Sequence, residues 1–215
     1  MNLVMLSQQL DPIDRLVTPH VVGLFRGRRG RVAYLPSAPD PKRYWFEPQR
    51  RCYAVLGLSL EYFGVEEDFD ANRVDQLFAM DAIHLSGGNT FRFMHWLRMR
   101  NLAERVRDYV KTGGTLIGVS AGAIMMTPNI GTASLCGDQR ISESETEEGL
   151  DLVNFLVVPH FVSRQEASAE LLSIACRYRR DVYAIPDGAA ILISGARTQV
   201  LGPVTVVHDA SRTSG

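Results

Sequence analysis

The stretch Gly118-Val119-Ser120-Ala121-Gly122, directly after the apolar run Thr115-Leu116-Ile117, narrows the choice of folds more than any other part of the chain. It predicts a β-strand that ends in a sharp turn and passes at once into a helix, with one serine at the apex. Such a turn needs small neighbours. The apical residue sits in strained backbone, and side chains at 118 and 122 would run into the adjoining strand and helix. The turn lifts the Ser120 hydroxyl out of the sheet and aims the first amides of the following helix at the group it meets. A glycine-rich strand-to-helix turn without chemistry is the plainer reading, so the pattern gains weight only from partners elsewhere.

Around this turn, short apolar runs alternate with helical patterns. Strands are predicted at about 2–6, 31–36, 58–63, 80–85, 114–119, 153–159, 182–185, 189–194 and 198–206. Helices are predicted at about 11–26, 43–57, 73–78, 89–99, 101–112, 121–126 and 165–178, with Gly113-Gly114 as a stop before the turn strand. Strands alternating with helices imply βαβ units, hence an α/β fold whose mostly parallel sheet is flanked by helices. The last two strands have no helix between them and predict an antiparallel edge. No repeat, linker or low-complexity segment interrupts the pattern.

A serine nucleophile needs a base. Of His20, His84, His95, His160 and His208, only His160 closes an apolar strand, Phe155-Leu156-Val157-Val158-Pro159. Sites in parallel sheets gather at such carboxyl ends. His20 and His95 lie in helical patterns, His208 is in the tail, and His84 sits inside Ala82-Ile83-His84-Leu85 as a core histidine, although a place near the site stays open. The base in turn needs an acceptor that fixes its tautomer. Asp187 follows the strand Val182-Tyr183-Ala184-Ile185 in a Pro-Asp-Gly turn, and Asp138, between Ser120 and His160, competes with it; Asp187 is placed ahead. A Pro-Asp-Gly tripeptide also suits an ordinary turn.

Leu85-Ser86-Gly87-Gly88-Asn89-Thr90 follows another apolar strand and opens a helix. Adjacent glycines let amides approach a ligand closely, so the N–H groups of Gly88 and Ala121 form the expected two-donor oxyanion hole. Asn89 or Thr90 also suits a plain helix cap.

Taken in order, strand-Gly-Gly-Asn-Thr-helix, Gly-x-Ser-Ala-Gly-Ala, Pro-His-Phe and Pro-Asp-Gly resemble the serine peptidase family of peptidase E and cyanophycinase, over residues of about 80 to 205. The resemblance implies a flavodoxin-like or class I glutamine-amidotransferase-like three-layer sandwich, read as one domain over 1–215. It also implies Ser120 as nucleophile, His160 as base, and Gly88 and Ala121 at the oxyanion hole. Asp187 occupies the turn where peptidase E carries a glutamate, so it is a carboxylate one methylene shorter. The polar tail after Val206-Val207 leads to the expectation that a carboxyl-terminal hairpin of longer relatives is missing, which speaks against aspartyl-dipeptide specificity.

With 46% hydrophobic and 22% charged residues in 215, the chain suits a compact enzyme with a substantial core. A net charge of −1 supplies no field that recruits nucleic acid or membrane. Arg26, Arg28, Arg29 and Arg31, interleaved with Gly23, Gly27 and Gly30, read as a solvated helix-to-strand connection, since the spacing is not the dinucleotide fingerprint. Cys52, Cys136 and Cys176 match neither a zinc motif nor a disulfide framework, and reduced thiols in a cytoplasm are expected. Asn2-Leu3-Val4-Met5-Leu6 is too short for a signal sequence core and reads as the first strand. No run reaches membrane-spanning length. Glu143 to Glu148 reads as a solvated loop or the start of a short helix near the site entrance.

The functional expectation is a cytoplasmic serine hydrolase of small peptides that needs no metal or organic cofactor. An amidotransferase-like enzyme would carry cysteine at 120. An esterase would need Asp138 as its acid, because its triad runs serine, acid, histidine. A peptide- or metabolite-binding protein with little or no turnover is the alternative from another class. Arg164 and Arg92 are candidates to meet a substrate carboxylate, although a surface role is more ordinary for each. No sequence feature specifies an oligomeric state.

Overall fold

The computed structural model describes residues 1–142, 146–162 and 165–209, and for residues 165–167 the backbone alone. Arg164 and residues 143–145 of the acidic stretch lie outside the described residues. The chain runs β1 (Asn2–Leu6), α1 (Thr18–Gly23), β2 (Arg31–Leu35), α2 (Phe46–Val55), β3 (Ser59–Tyr62), α3 (Val74–Phe78), β4 (Ala82–Leu85), α4 (Thr90–Met99) and α5 (Leu102–Lys111). It continues through β5 (Thr115–Val119), α6 (Ala121–Met125), β6 (Leu156–Pro159), α7 (Gln165–Tyr178), β7 (Val182–Ile185), β8 (Ala190–Ser194), β9 (Arg197–Leu201) and β10 (Thr205–Val207).

Seven strands form one sheet in the order β3-β2-β4-β5-β1-β8-β9. The first five are parallel, and β8 and β9 add an antiparallel edge. Of the parallel strands, β1, β2, β4 and β5 are buried on both faces, which is why they read as continuous apolar runs, whereas the edge strand β3 alternates, with Ser59 exposed and Glu61 half-buried. Leu3, Met5 and Leu116 enter the core on the face covered by α3, α4, α5 and α6. Val4, Leu6, Ile117 and Val119 enter the opposite one, under α1 and α2. This is the expected three-layer α/β sandwich.

Two features depart from the one-sheet expectation. Strands β6 and β7 leave the main sheet and pair in parallel with each other, with β10 antiparallel on β7, as a separate sheet. One face of it, including Val157 and Ile185, joins the main core. The other packs Leu156, Val158, Val182 and Ala184 against Leu171 and Ala175 of α7. The predicted strand 198–206 is therefore two strands in two sheets. It breaks at Gly202-Pro203, where Gly202 takes a φ of +83° and proline offers no N–H to a ladder.

The predicted helix 11–26 shrinks to α1 because Asp11 and Asp14 capture the preceding backbone. The Asp14 carboxylate accepts the N–H groups of Leu16 (2.8 Å) and Val17 (2.8 Å), and Asp11 that of Ile13 (3.0 Å). Such local acceptors compete with helical bonding. The helix predicted at 43–57 likewise starts later, because the buried Asp40 carboxylate takes the N–H groups of Tyr44, Trp45 and Phe46 (2.8, 2.9 and 3.0 Å). Within the acidic stretch, Glu147 is anchored rather than solvated, accepting from the Tyr178 hydroxyl (2.8 Å) and pairing with Arg140.

Candidate active site

Register brings the site together. Leu6 of β1 lies opposite Val119 of β5, and Leu85 of β4 opposite Gly118, so Ser7, Ser120 and the Ser86-Gly87-Gly88 loop leave three adjacent strands at the same edge. In the small sheet Pro159 lies opposite Ile185, so His160 and the Pro186-Asp187 turn also leave together. The candidate residues gather where the carboxyl ends of the two sheets meet.

Ser120 has φ 50° and ψ −109°, a strained conformation for a residue with a side chain, and its N–H donates to the Leu6 carbonyl (2.9 Å). The flanking glycines are required by contact. A Cβ at 118 would overlap the Gly122 carbonyl, and one at 122 would overlap the Leu85 carbonyl, both backbone atoms that cannot swing aside. His160 also has a positive φ, 55°. That turn carries its imidazole back over the sheet edge.

Two hydrogen bonds link the three predicted residues. His160 Nε2 lies 3.0 Å from Ser120 Oγ, and His160 Nδ1 lies 2.8 Å from Asp187 Oδ1. The shorter side chain in the acid turn reaches the ring directly. Asp138 is elsewhere: its Oδ2 accepts from the N–H (2.8 Å) and hydroxyl (2.6 Å) of Thr90 at the start of α4. Asn89 caps the same helix by accepting the Arg92 N–H (2.9 Å). An acid at the amino end of a helix is stabilised there by the helix dipole.

Ser7 escaped the sequence reading. Fully buried at the end of β1, it donates from Oγ to Asp187 Oδ1 (2.7 Å) and accepts the His160 backbone N–H on the same oxygen (2.7 Å). One hydroxyl thus ties the carboxylate to the histidine's own backbone. The available signal was its position, one residue past a central apolar strand, as for Ser120; a lone serine there is not distinctive.

The Gly-Gly loop is held by two serines. The Ser37 N–H donates to Ser86 Oγ (2.8 Å), and Ser37 Oγ donates to the Gly87 carbonyl (2.6 Å). Gly88 takes a φ of +131°, and a Cβ there would strike the Ser37 hydroxyl. Gly87 lies beside Ser120, so the amide-bearing turn at 87–88 and the first residue of α6, Ala121, flank the hydroxyl from two strands. His84 takes no part in this arrangement. It is fully buried, its Nδ1 shares a hydrogen bond with the Tyr53 hydroxyl (2.8 Å), and burial holds its imidazole down to about 3.

A cavity of about 750 Å³ opens beside Ser120 and His160 and reaches Trp45 and Arg92. Arg92 does line it, but its Nε and Nη2 are both committed to Glu66 (2.8 and 2.6 Å). The three cysteines are free thiols. Among the described residues there is no cluster able to hold a metal ion, and no helix long and apolar enough to cross a membrane.

The model of peptidase family S51 matches residues 3–201. A peptidase E of Shigella flexneri serotype 5b is 28% identical over 219 residues, covering 95% of this chain and 92% of that one. A peptidase E of Nostoc sp. is 25% identical over 186 residues, covering 82% and 74%. Among solved structures, a Listeria monocytogenes EGD-e protein provisionally assigned to peptidase E superimposes with a TM-score of 0.74 at 22% identity, covering 93% of this chain and 96% of that one. A peptidase from an acI-B1 Actinobacterium gives 0.66 at 18%, covering 97% and 94%.

Proposed function

This chain belongs to peptidase family S51 and is a serine-type peptidase, and on that premise we propose that it hydrolyses small peptides through Ser120, His160 and Asp187. The observation that carries this reading is the continuous contact from Ser120 Oγ to His160 Nε2 and from His160 Nδ1 to Asp187 Oδ1. Ser120 Oγ attacks the scissile carbonyl carbon as its proton passes to Nε2. Asp187 holds the Nδ1–H and stabilises the imidazolium that forms. The tetrahedral oxyanion is met by the N–H groups of Gly88 and Ala121, set by backbone before the reaction begins. The imidazolium then gives its proton to the departing amine, leaving an acyl group on Ser120. Water, deprotonated by the same histidine, releases it. The strained φ at Ser120 fits a nucleophile elbow, in which backbone strain serves to expose one hydroxyl.

The test is covalent. A fluorophosphonate probe should label the wild-type protein at Ser120 and leave Ser120→Ala unlabelled, with peptide turnover lost in that variant. Equal labelling of both proteins would remove Ser120 from the mechanism. Ser120 is half-buried at a turn, so loss of its hydroxyl should change the unfolding midpoint little.

A further inference from the structure

The Gly87–Gly88 peptide carries one of the two amides assigned to the oxyanion, and what aims it comes from a neighbouring strand. Leu35 of β2 lies opposite Leu85 of β4, so the two chains leave the sheet side by side and Ser37 falls next to Ser86 and Gly87. Both serines are buried. The Gly87 carbonyl accepts two hydroxyls, Ser37 Oγ at 2.6 Å and Ser86 Oγ at 3.0 Å. Ser86 belongs to the same loop and moves with it. Ser37 stands on a different strand, and its own N–H donates to Ser86 Oγ (2.8 Å), so it ties the peptide to the sheet.

That tie matters because both ends of the bond are glycine. A peptide flip turns the carbonyl and the N–H through about half a turn with little change in the path of the chain, provided that both flanking residues tolerate the new dihedrals. Two glycines do. The carbonyl and N–H of a trans peptide point in opposite directions. With the carbonyl held by Ser37, the Gly88 N–H faces away from that hydroxyl. Among the described residues it has no acceptor, and neither has the Ala121 N–H. In the flipped peptide an oxygen would take the place of the donor and repel a developing oxyanion. A hydrogen bond on the carbonyl also polarises the peptide and strengthens its N–H as a donor.

We infer that Ser37 is a positioning residue, which locks the Gly87–Gly88 peptide with its N–H presented to the oxyanion of the reaction. The inference rests on the reading of Ser120 as nucleophile and of Gly88 and Ala121 as the oxyanion donors.

Ser37→Ala leaves Ser86 on the Gly87 carbonyl, so no buried acceptor is stranded and the variant should fold. A fluorophosphonate reads the lock directly. Ser120 Oγ bonds to phosphorus, fluoride leaves, His160 Nε2 takes the proton, and the phosphoryl oxygen occupies the place of the oxyanion. The labelling rate of Ser37→Ala should fall by between about tenfold and roughly 10³-fold, the latter being the cost of losing one oxyanion donor outright. The pH dependence of labelling, which reports on His160, should keep its midpoint. In wild-type protein carrying isotope-labelled glycine, the Gly88 amide proton should move downfield in the NMR spectrum on phosphonylation, and less far in Ser37→Ala. An unchanged labelling rate in Ser37→Ala, as a merely structural hydroxyl would give, overturns the inference. So does a slower rate accompanied by a shifted pH midpoint, which would place the damage at the histidine. Wild-type labelling at Ser120 without a response of the Gly88 amide overturns it with no variant needed. A wild-type protein that takes no label at Ser120 instead removes the nucleophile, and this inference with it.

Discussion

On the proposed mechanism, the carboxylate beside His160 matters through the proton it holds in place, and Asp187 is itself held by Ser7. Asp187→Asn should lower kcat roughly 10⁴-fold, as losing the correct tautomer does, and His160→Ala should cost at least as much. Asp138→Asn should leave kcat within a few-fold while lowering stability by about 1 kcal/mol, because only the charge-assisted cap of α4 is weakened. A large kcat loss with Asp138→Asn, read from initial rates, would reverse the two roles. Ser7→Ala removes the donor to Asp187 and leaves the part-buried His160 N–H without its acceptor. We expect a loss of about 1–3 kcal/mol in stability. The fluorophosphonate labelling rate should also fall, by about tenfold, the equivalent of one lost hydrogen bond. A hydroxyl with a purely structural role would lower the unfolding midpoint and leave the labelling rate of the folded protein unchanged. Position 7 was illegible beforehand because serine after a strand is common. Its meaning comes from a partner 180 residues away.

At the scale of elements, the β5-to-α6 turn was readable in outline and in detail. The glycines at 118 and 122 were expected for want of space, and the space is missing: each would place a Cβ on a backbone carbonyl. Gly122→Ala therefore forces α6 away from β4. It should cost about 2 kcal/mol or more, as overpacking a filled core does, and abolish labelling at Ser120 through displacement of the turn. Urea unfolding and probe labelling of that variant check both; a stable, fully labelled Gly122→Ala would show that the packing gives way. Helix boundaries were less legible. Both α1 and α2 start late because aspartate side chains, Asp14 and Asp40, bind the preceding amides, and periodicity carries no record of such bonds.

At the scale of the whole molecule, the buried core sets a pH limit. His84 is neutral in the fold, held down to about 3 by burial, whereas the exposed group titrates near 6.5. Between these values the unfolded chain binds a proton that the folded protein does not. Stability therefore rises with pH across that interval and is lost as acid takes the pH from 6.5 toward 3, by up to ~1.4 kcal/mol per pH unit. Urea midpoints at pH 7 and pH 5 should show this loss, and His84→Asn, which keeps a partner for Tyr53, should flatten it; an unchanged slope would place the acid sensitivity elsewhere. The sequence by itself determined the alternation of strands and helices, the strained serine turn and the placing of His160 and Asp187 at strand ends. Each of these is encoded within about ten residues by periodicity, glycine and proline. Tertiary structure alone decided that β6 and β7 form a second sheet, that Asp187 and not Asp138 meets the histidine, and that Ser7 joins them. These outcomes depend on register and pairing between distant segments, where one choice of neighbour re-aims a whole strand end, and no local pattern records that choice.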